Sequence, residues 1–119
     1  MTMFDKVLFS DNTSETEIPE AVKAFAQLVA QRQTDNYDGP YSFLTEISKG
    51  KKFIKLIRRE KWKDNGQLTG GSVFAFIDPD GNIYKSATAK APAKGIRGNV
   101  NINGGGDAIG RDGYIRYFR

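Results

Sequence analysis

Ser72-Val73-Phe74-Ala75-Phe76-Ile77-Asp78-Pro79-Asp80-Gly81-Asn82-Ile83-Tyr84-Lys85-Ser86-Ala87 carries the clearest local signal in the chain. Two apolar runs flank Asp78-Pro79-Asp80-Gly81, where proline presets φ for the second turn position, aspartate can bond its own backbone and glycine supplies positive φ. The stretch predicts a β-hairpin. Upstream, the run from Lys49 to Lys63 has eight basic residues of fifteen and one acidic residue. Its apolar residues Phe53, Ile54, Leu56 and Ile57 fit a strand about as well as a short helix. Their β-branched and aromatic character, with Gly50 as a boundary, favours a strand over 51–60. Asp64-Asn65-Gly66-Gln67 and Gly70-Gly71 read as breaks, so the three strands form an antiparallel meander.

Working outward, Ile18, Val22, Phe25 and Leu28/Val29 recur at three- and four-residue spacing, with acidic residues and Pro19 in the first turn and Arg32 near the end. This predicts an amphipathic helix over 17–33 whose acidic start suits the helix dipole. Residues 4–9 read as a short edge strand or an arm, Tyr41–Ile47 as a short segment, and Tyr114–Arg119 as a last strand. Between the hairpin and that strand, residues 88–113 hold more than half of the thirteen glycines and little periodicity, which predicts a long irregular loop. The three glycines Gly104–Gly106 are expected to let it approach another backbone or subunit closely. The expected fold is α+β in one domain, 1–119: a helix on a small antiparallel sheet of three to five strands, with a basic β body over 50–119.

Composition narrows the chemistry. The 119 residues include no His and no Cys, which removes Cys nucleophiles, Ser-His pairs, disulfides and ordinary zinc sites. The net charge of +4 is a difference between two regions, since residues 1–46 carry a net −5 and residues 47–119 a net +9. No apolar stretch approaches the roughly 18 residues of a spanning helix, and the opening residues do not read as a signal peptide. A soluble, intracellular protein is the expectation.

Three constellations can carry chemistry. In Ala89-Lys90-Ala91-Pro92-Ala93-Lys94-Gly95-Ile96-Arg97-Gly98-Asn99, backbone N–H groups at Gly95 and Gly98 and the heads of Lys90, Lys94 and Arg97 can converge on one anion, with Lys85 and Asn99 beside them. The alternative is a solvated basic loop shaped by Gly and Pro. The second constellation is the basic strand, Lys51, Lys52, Lys55, Arg58 and Arg59, with Trp62 and Tyr84 as stacking aromatics. Cations along a backbone with aromatic faces are the equipment of single-strand binders, although exposed lysines also protect strand edges. A buried Trp62 indole would be core, and an exposed one a stacking platform. The third is the glycine-rich loop with Asp107 and Asp112, whose spacing does not match a calcium loop. No metal, cofactor or catalytic residue is expected.

At Ser72–Ile77, Gly81–Lys85 and Lys90–Asn99 the chain resembles a family of small bacteriophage proteins that share a strand-turn-strand followed by Lys-Ala-Pro-Ala-Lys-Gly-x-Arg-Gly. The resemblance covers residues 50–100. It implies a viral origin and a place in the cytoplasm of an infected bacterium, and it carries no activity with it. Where such proteins often have an aromatic residue before the first lysine of the motif, this chain has Ala89, which removes a stacking residue and leaves the cations. The resulting expectation is a non-enzymatic protein that binds phosphate-bearing ligands, foremost single-stranded nucleic acid, without a membrane partner. One alternative is an oligomeric sponge for a cyclic or linear nucleotide immune signal. Another is a structural or host-protein-binding role.

Overall fold

The turn at Asp78–Gly81 closes as its residues require. The Gly81 N–H donates to the Asp78 carbonyl at 2.9 Å and the Asp78 N–H to the Asn82 carbonyl at 3.1 Å, with Gly81 at φ 87°. The computed structural model describes residues 4–116. The hairpin joins β4 (Leu68–Ile77) to β5 (Asn82–Lys85), and β3 (Ile54–Trp62) precedes it. The order β3-β4-β5 is the antiparallel meander that the sequence predicts.

Around the meander the sheet is larger than the sequence suggests. It has six strands, ordered β1 (Val7–Phe9), β2 (Tyr41–Lys49), β3, β4, β5 and β6 (Gly98–Asn99), not three to five. It is also mixed, because β1 pairs parallel with β2. The helix α1 (Glu20–Asp35) connects these two strands, and a parallel pair needs such a crossover. The Tyr41–Ile47 segment is thus a full nine-residue strand. At the other end, Ile115 makes one isolated bridge to Ile109, and the expected strand beyond it, residues 117–119, lies outside the described residues.

Helix α1 begins three residues later than the 17–33 pattern predicts, because Pro19 forces Ile18 into extended backbone and leaves Glu15–Glu17 as a separate 3₁₀ turn. It buries Val22, Phe25, Ala26 and Val29 against Ile47, Leu56, Ala75, Ile77 and Ile83. Full burial of Phe25 alone stabilises by about 2–3 kcal/mol. Thr45 sits inside this contact with its hydroxyl donating to the Ala26 carbonyl at 2.9 Å, so its buried oxygen is satisfied.

The glycine-rich region is more ordered than an irregular loop. It contributes β6 and a 3₁₀ segment, Asn103–Ala108, that lies against α1. The close approach anticipated for Gly104–Gly106 occurs within the chain: Gly105 has φ 79°, and a Cβ there would stand 2.5 Å from the Phe25 Cδ1. Gly105→Ala therefore combines a left-handed backbone with a clash against the core ring. A loss of about 2 kcal/mol or more is expected in urea unfolding, and an unchanged midpoint would refute this packing.

Candidate anion-binding groove

Two irregularities in β4 shape the site. Its register against β3 slips between Leu56/Ile57 and between Arg58/Arg59, leaving Phe74 and Gly71 as extra residues on β4. Bulges of this kind re-aim side chains, and Phe74 here reaches the wall of a groove of about 990 Å³. The groove lies on the α1 side of the sheet. Arg58 of β3, Lys85 at the end of β5 and Arg116 of the last described segment line it together with Ser72, Tyr114 and Asp112.

Arg58 faces this side because β3 alternates, so that 54, 56 and 58 share one face and Leu56 fixes that face as the core. Its Nη1 donates to the Tyr114 hydroxyl at 2.8 Å, its Nη2 lies 3.8 Å from Glu60, and its Cζ is 5.5 Å from the Phe43 ring centre. Tyr114 remains 40% exposed and its ring centre is 6.4 Å from that of Phe74. The wall carrying Tyr114 and Arg116 is fastened to α1. Arg32 donates to the Gly110 carbonyl, Gln33 to that of Gly113 and Asn36 to that of Arg111, while the Asp112 carboxylate accepts the Tyr114 N–H.

The expected site residues divide among several places. Lys85 and Arg58 meet in the groove. Arg97 supports its rim, donating from Nη1 to the Arg116 carbonyl at 2.8 Å. Lys90 and Lys94 are exposed on an excursion between β5 and β6 and do not line the groove. Much of the main chain of that excursion is bonded within the fold. The N–H groups of Ala87 and Thr88 donate to the Ala91 carbonyl, those of Lys90 and Ala91 to the Thr88 hydroxyl, that of Ala93 to Lys85 and that of Arg97 to Ile83. Gly95 provides a positive φ of 95° for the return. Gly98 and Asn99 form β6, where Gly98 packs on Ala108 and Asn99 bonds Asp80 and Asn82.

Nor does the basic strand present one surface. Alternation sends Lys55 and Arg59 to the face opposite Arg58, where Arg59 pairs with Glu46, and Lys51 and Lys52 lie in the exposed turn before β3. Trp62 is half-buried in an aromatic cluster, edge-on to Tyr41 at 5.0 Å with its indole N–H donating to Thr69, so neither alternative posed for it describes it fully. In the same cluster Tyr37 stacks on Tyr41 at 4.7 Å, and its hydrogen bond with Tyr41, with burial, pushes its hydroxyl up to about 12. Tyr114, Arg116 and Phe74 were not anticipated as site residues. For Tyr114 and Arg116 the signal is the aromatic-basic interleaving of Tyr114-Ile115-Arg116-Tyr117-Phe118-Arg119, the same pattern that marks the 49–63 run, whereas the place of Phe74 follows from the bulge in β4.

Fold and site together define an α+β protein with a cationic, aromatic-walled groove beside one helix. The chain belongs to a family of unknown function (DUF7717), whose profile matches residues 6–112. No curated protein matches the chain. No solved structure matches it. Among the described residues no group of three or more acidic side chains is placed to hold a metal ion, and no helix is long and apolar enough to cross a membrane.

Tyr84, expected as a stacking residue, is tied into the hairpin turn. Its hydroxyl donates to the Asp78 carboxylate at 2.9 Å, and the Asp80 N–H, the Asn82 N–H and the Asn82 side chain donate to the same carboxylate. Burial alone would raise the Asp78 carboxyl, but the hydrogen bonds from Asn82, Tyr84 and Asp80 outweigh it and hold the group below its ordinary value. The bond to Asp78, with burial, raises the Tyr84 hydroxyl. A depressed carboxyl contributes stability above its unfolded pKa and loses it as pH falls through the folded one. Asp78→Ala is thus expected to cost about 1–2 kcal/mol at pH 7. The gap from the parent should narrow below about pH 4 in urea melts, and a gap independent of pH would count against this network.

Proposed function

We propose that this protein binds single-stranded nucleic acid without catalysing a reaction, in the cytoplasm of a phage-infected bacterium, through the groove of Arg58, Lys85, Arg116 and Tyr114. The observation that carries this reading is the meeting of three cations from distant parts of the chain beside a half-exposed aromatic ring. They stand against one lining carboxylate, Asp112. Phosphate oxygens accept from guanidinium and ammonium groups, and Arg58 is held in place by Tyr114 and Phe43 before any ligand arrives. Tyr114, with Phe74 beside it, offers a ring face on which a base can stack. The site is an open groove, which suits a continuous strand better than an enclosed nucleotide. The placement in an infected cell rests on the resemblance of the Lys90–Asn99 motif to bacteriophage proteins.

Three cations on a single strand give a log–log salt dependence with a slope of about −2. Fluorescence anisotropy with a labelled oligothymidylate across salt concentrations measures it. Lys85→Glu with Arg116→Glu is expected to weaken binding by about tenfold or more and to flatten the slope. Affinity that ignores salt, or a double variant that binds like the parent, would defeat the proposal. A mononucleotide or cyclic nucleotide released from the purified, denatured protein and seen by mass spectrometry would replace the strand with a small ligand.

A further inference from the structure

The sheet has a second surface. In β3 and β5 neighbouring residues point to opposite faces, so Arg58 and Lys85 enter the groove while Lys55, Ile57, Arg59 and Tyr84 stand on the other side. Both α1 and the Asn103–Ala108 segment pack on the groove side. On the opposite side, among the described residues, no helix covers the strands.

That face has its own aromatic row. Lys55, Phe76 and Tyr84 are cross-strand neighbours. The Phe53 ring lies edge-on to Phe76 at 5.8 Å and to Tyr84 at 5.9 Å, and only 1% of Phe76 is left exposed. Lys52 Nζ is 5.5 Å from the Phe53 ring centre and Lys55 Nζ 5.9 Å from that of Phe76. Lys61 alternates onto the same face, and the carboxylates beside these rings are engaged within the chain, Glu46 by Arg59 and Asp78 by the Tyr84 hydroxyl and the turn N–H groups. The charge selects the occupant. A second copy docked face to face would set lysines against lysines, whereas a polyanion with planar bases complements both the ammonium groups and the rings.

We infer that one molecule holds two single strands at once, one in the groove and one on the uncovered sheet face. This rests on the nucleic-acid reading of the groove. Its chemistry is that of a strand-bridging protein, in which two segments of single-stranded nucleic acid are brought to opposite sides of one thin sheet.

Native mass spectrometry of the full chain with an oligothymidylate of about twelve nucleotides tests it. Complexes of one chain with two strands are expected. Lys52→Glu with Lys55→Glu should leave the first strand bound and weaken the second by about tenfold or more. Lys85→Glu with Arg116→Glu should do the reverse. Phe53→Leu keeps an apolar cover over Phe76 and removes the ring face, and should weaken the second strand by at least about fivefold. Circular dichroism verifies that each variant is folded. Saturation at one strand per chain, or a second strand that ignores the Lys52 and Lys55 reversals, would overturn the inference. A chain-only dimer abolished by those reversals would overturn it too, assigning the face to self-association. If the Lys85 and Arg116 reversals leave both strands bound, the groove reading fails instead, separately from the sheet face.

Discussion

Helix α1 crosses between two parallel strands, and its stripe of Val22, Phe25, Ala26 and Val29 closes on Ile47, Leu56, Ala75, Ile77 and Ile83. This contact decides which side of the sheet is core. A slip of β2 by one residue would exchange Thr45 and Ile47 for Leu44 and Glu46 under the helix, placing a carboxylate in the fully buried position of Ile47 and taking the Thr45 hydroxyl away from the Ala26 carbonyl. Register and face are thus set together. Once they are, alternation along β3 sends Arg58 one way and Lys55 and Arg59 the other, and the two charged surfaces inherit their positions from an apolar event.

The groove depends on the same helix in a second way. The last turn of α1 and its cap supply Arg32, Gln33 and Asn36, whose side chains hold the carbonyls of Gly110, Gly113 and Arg111. Gln33 is 2% exposed, so its amide works as a buried connector. Gly113 belongs to the same joint, because a Cβ there would stand 2.8 Å from both the Val29 carbonyl oxygen and the Gln33 Cγ. The wall that presents Tyr114 and Arg116 is therefore braced by side-chain to main-chain bonds, where regular strand pairing among the described residues contributes only the bridge at Ile115.

Local rules made part of this readable. The Asp78–Gly81 turn and the Ile18–Val29 spacing carry their structures within a few residues, and both elements form nearly where the sequence places them. Strand β2 was under-read because Tyr41-Ser42-Phe43-Leu44-Thr45-Glu46-Ile47 mixes apolar residues across both faces, and only pairing with β1 and β3 settles it. The strand count and the parallel edge follow from long-range pairing that no local pattern encodes. Of the site, Arg58 and Lys85 were legible as cations, but their partnership depends on bulges at Gly71 and Phe74. In the Lys90–Lys94 loop the spacing of the cations is legible in the sequence, whereas their placement away from the groove and the internal bonding of neighbouring N–H groups are not.

The hydrogen bonds that brace the groove join residues 75 to 80 positions apart in sequence. Closing so long a loop is entropically costly and rewarded only after the intervening sheet has formed. The wall of Gly110–Arg116 is consequently expected to form late and open early, with a lower opening free energy than the core strands. On the proposed reading, a polyanion spanning Arg58 and Arg116 would tie β3 to a segment distant from it in sequence. Binding and closure of this unit would then be thermodynamically linked, and occupancy is expected to slow exchange of the amide hydrogens at Gly110, Gly113 and Arg116 more than those of β3.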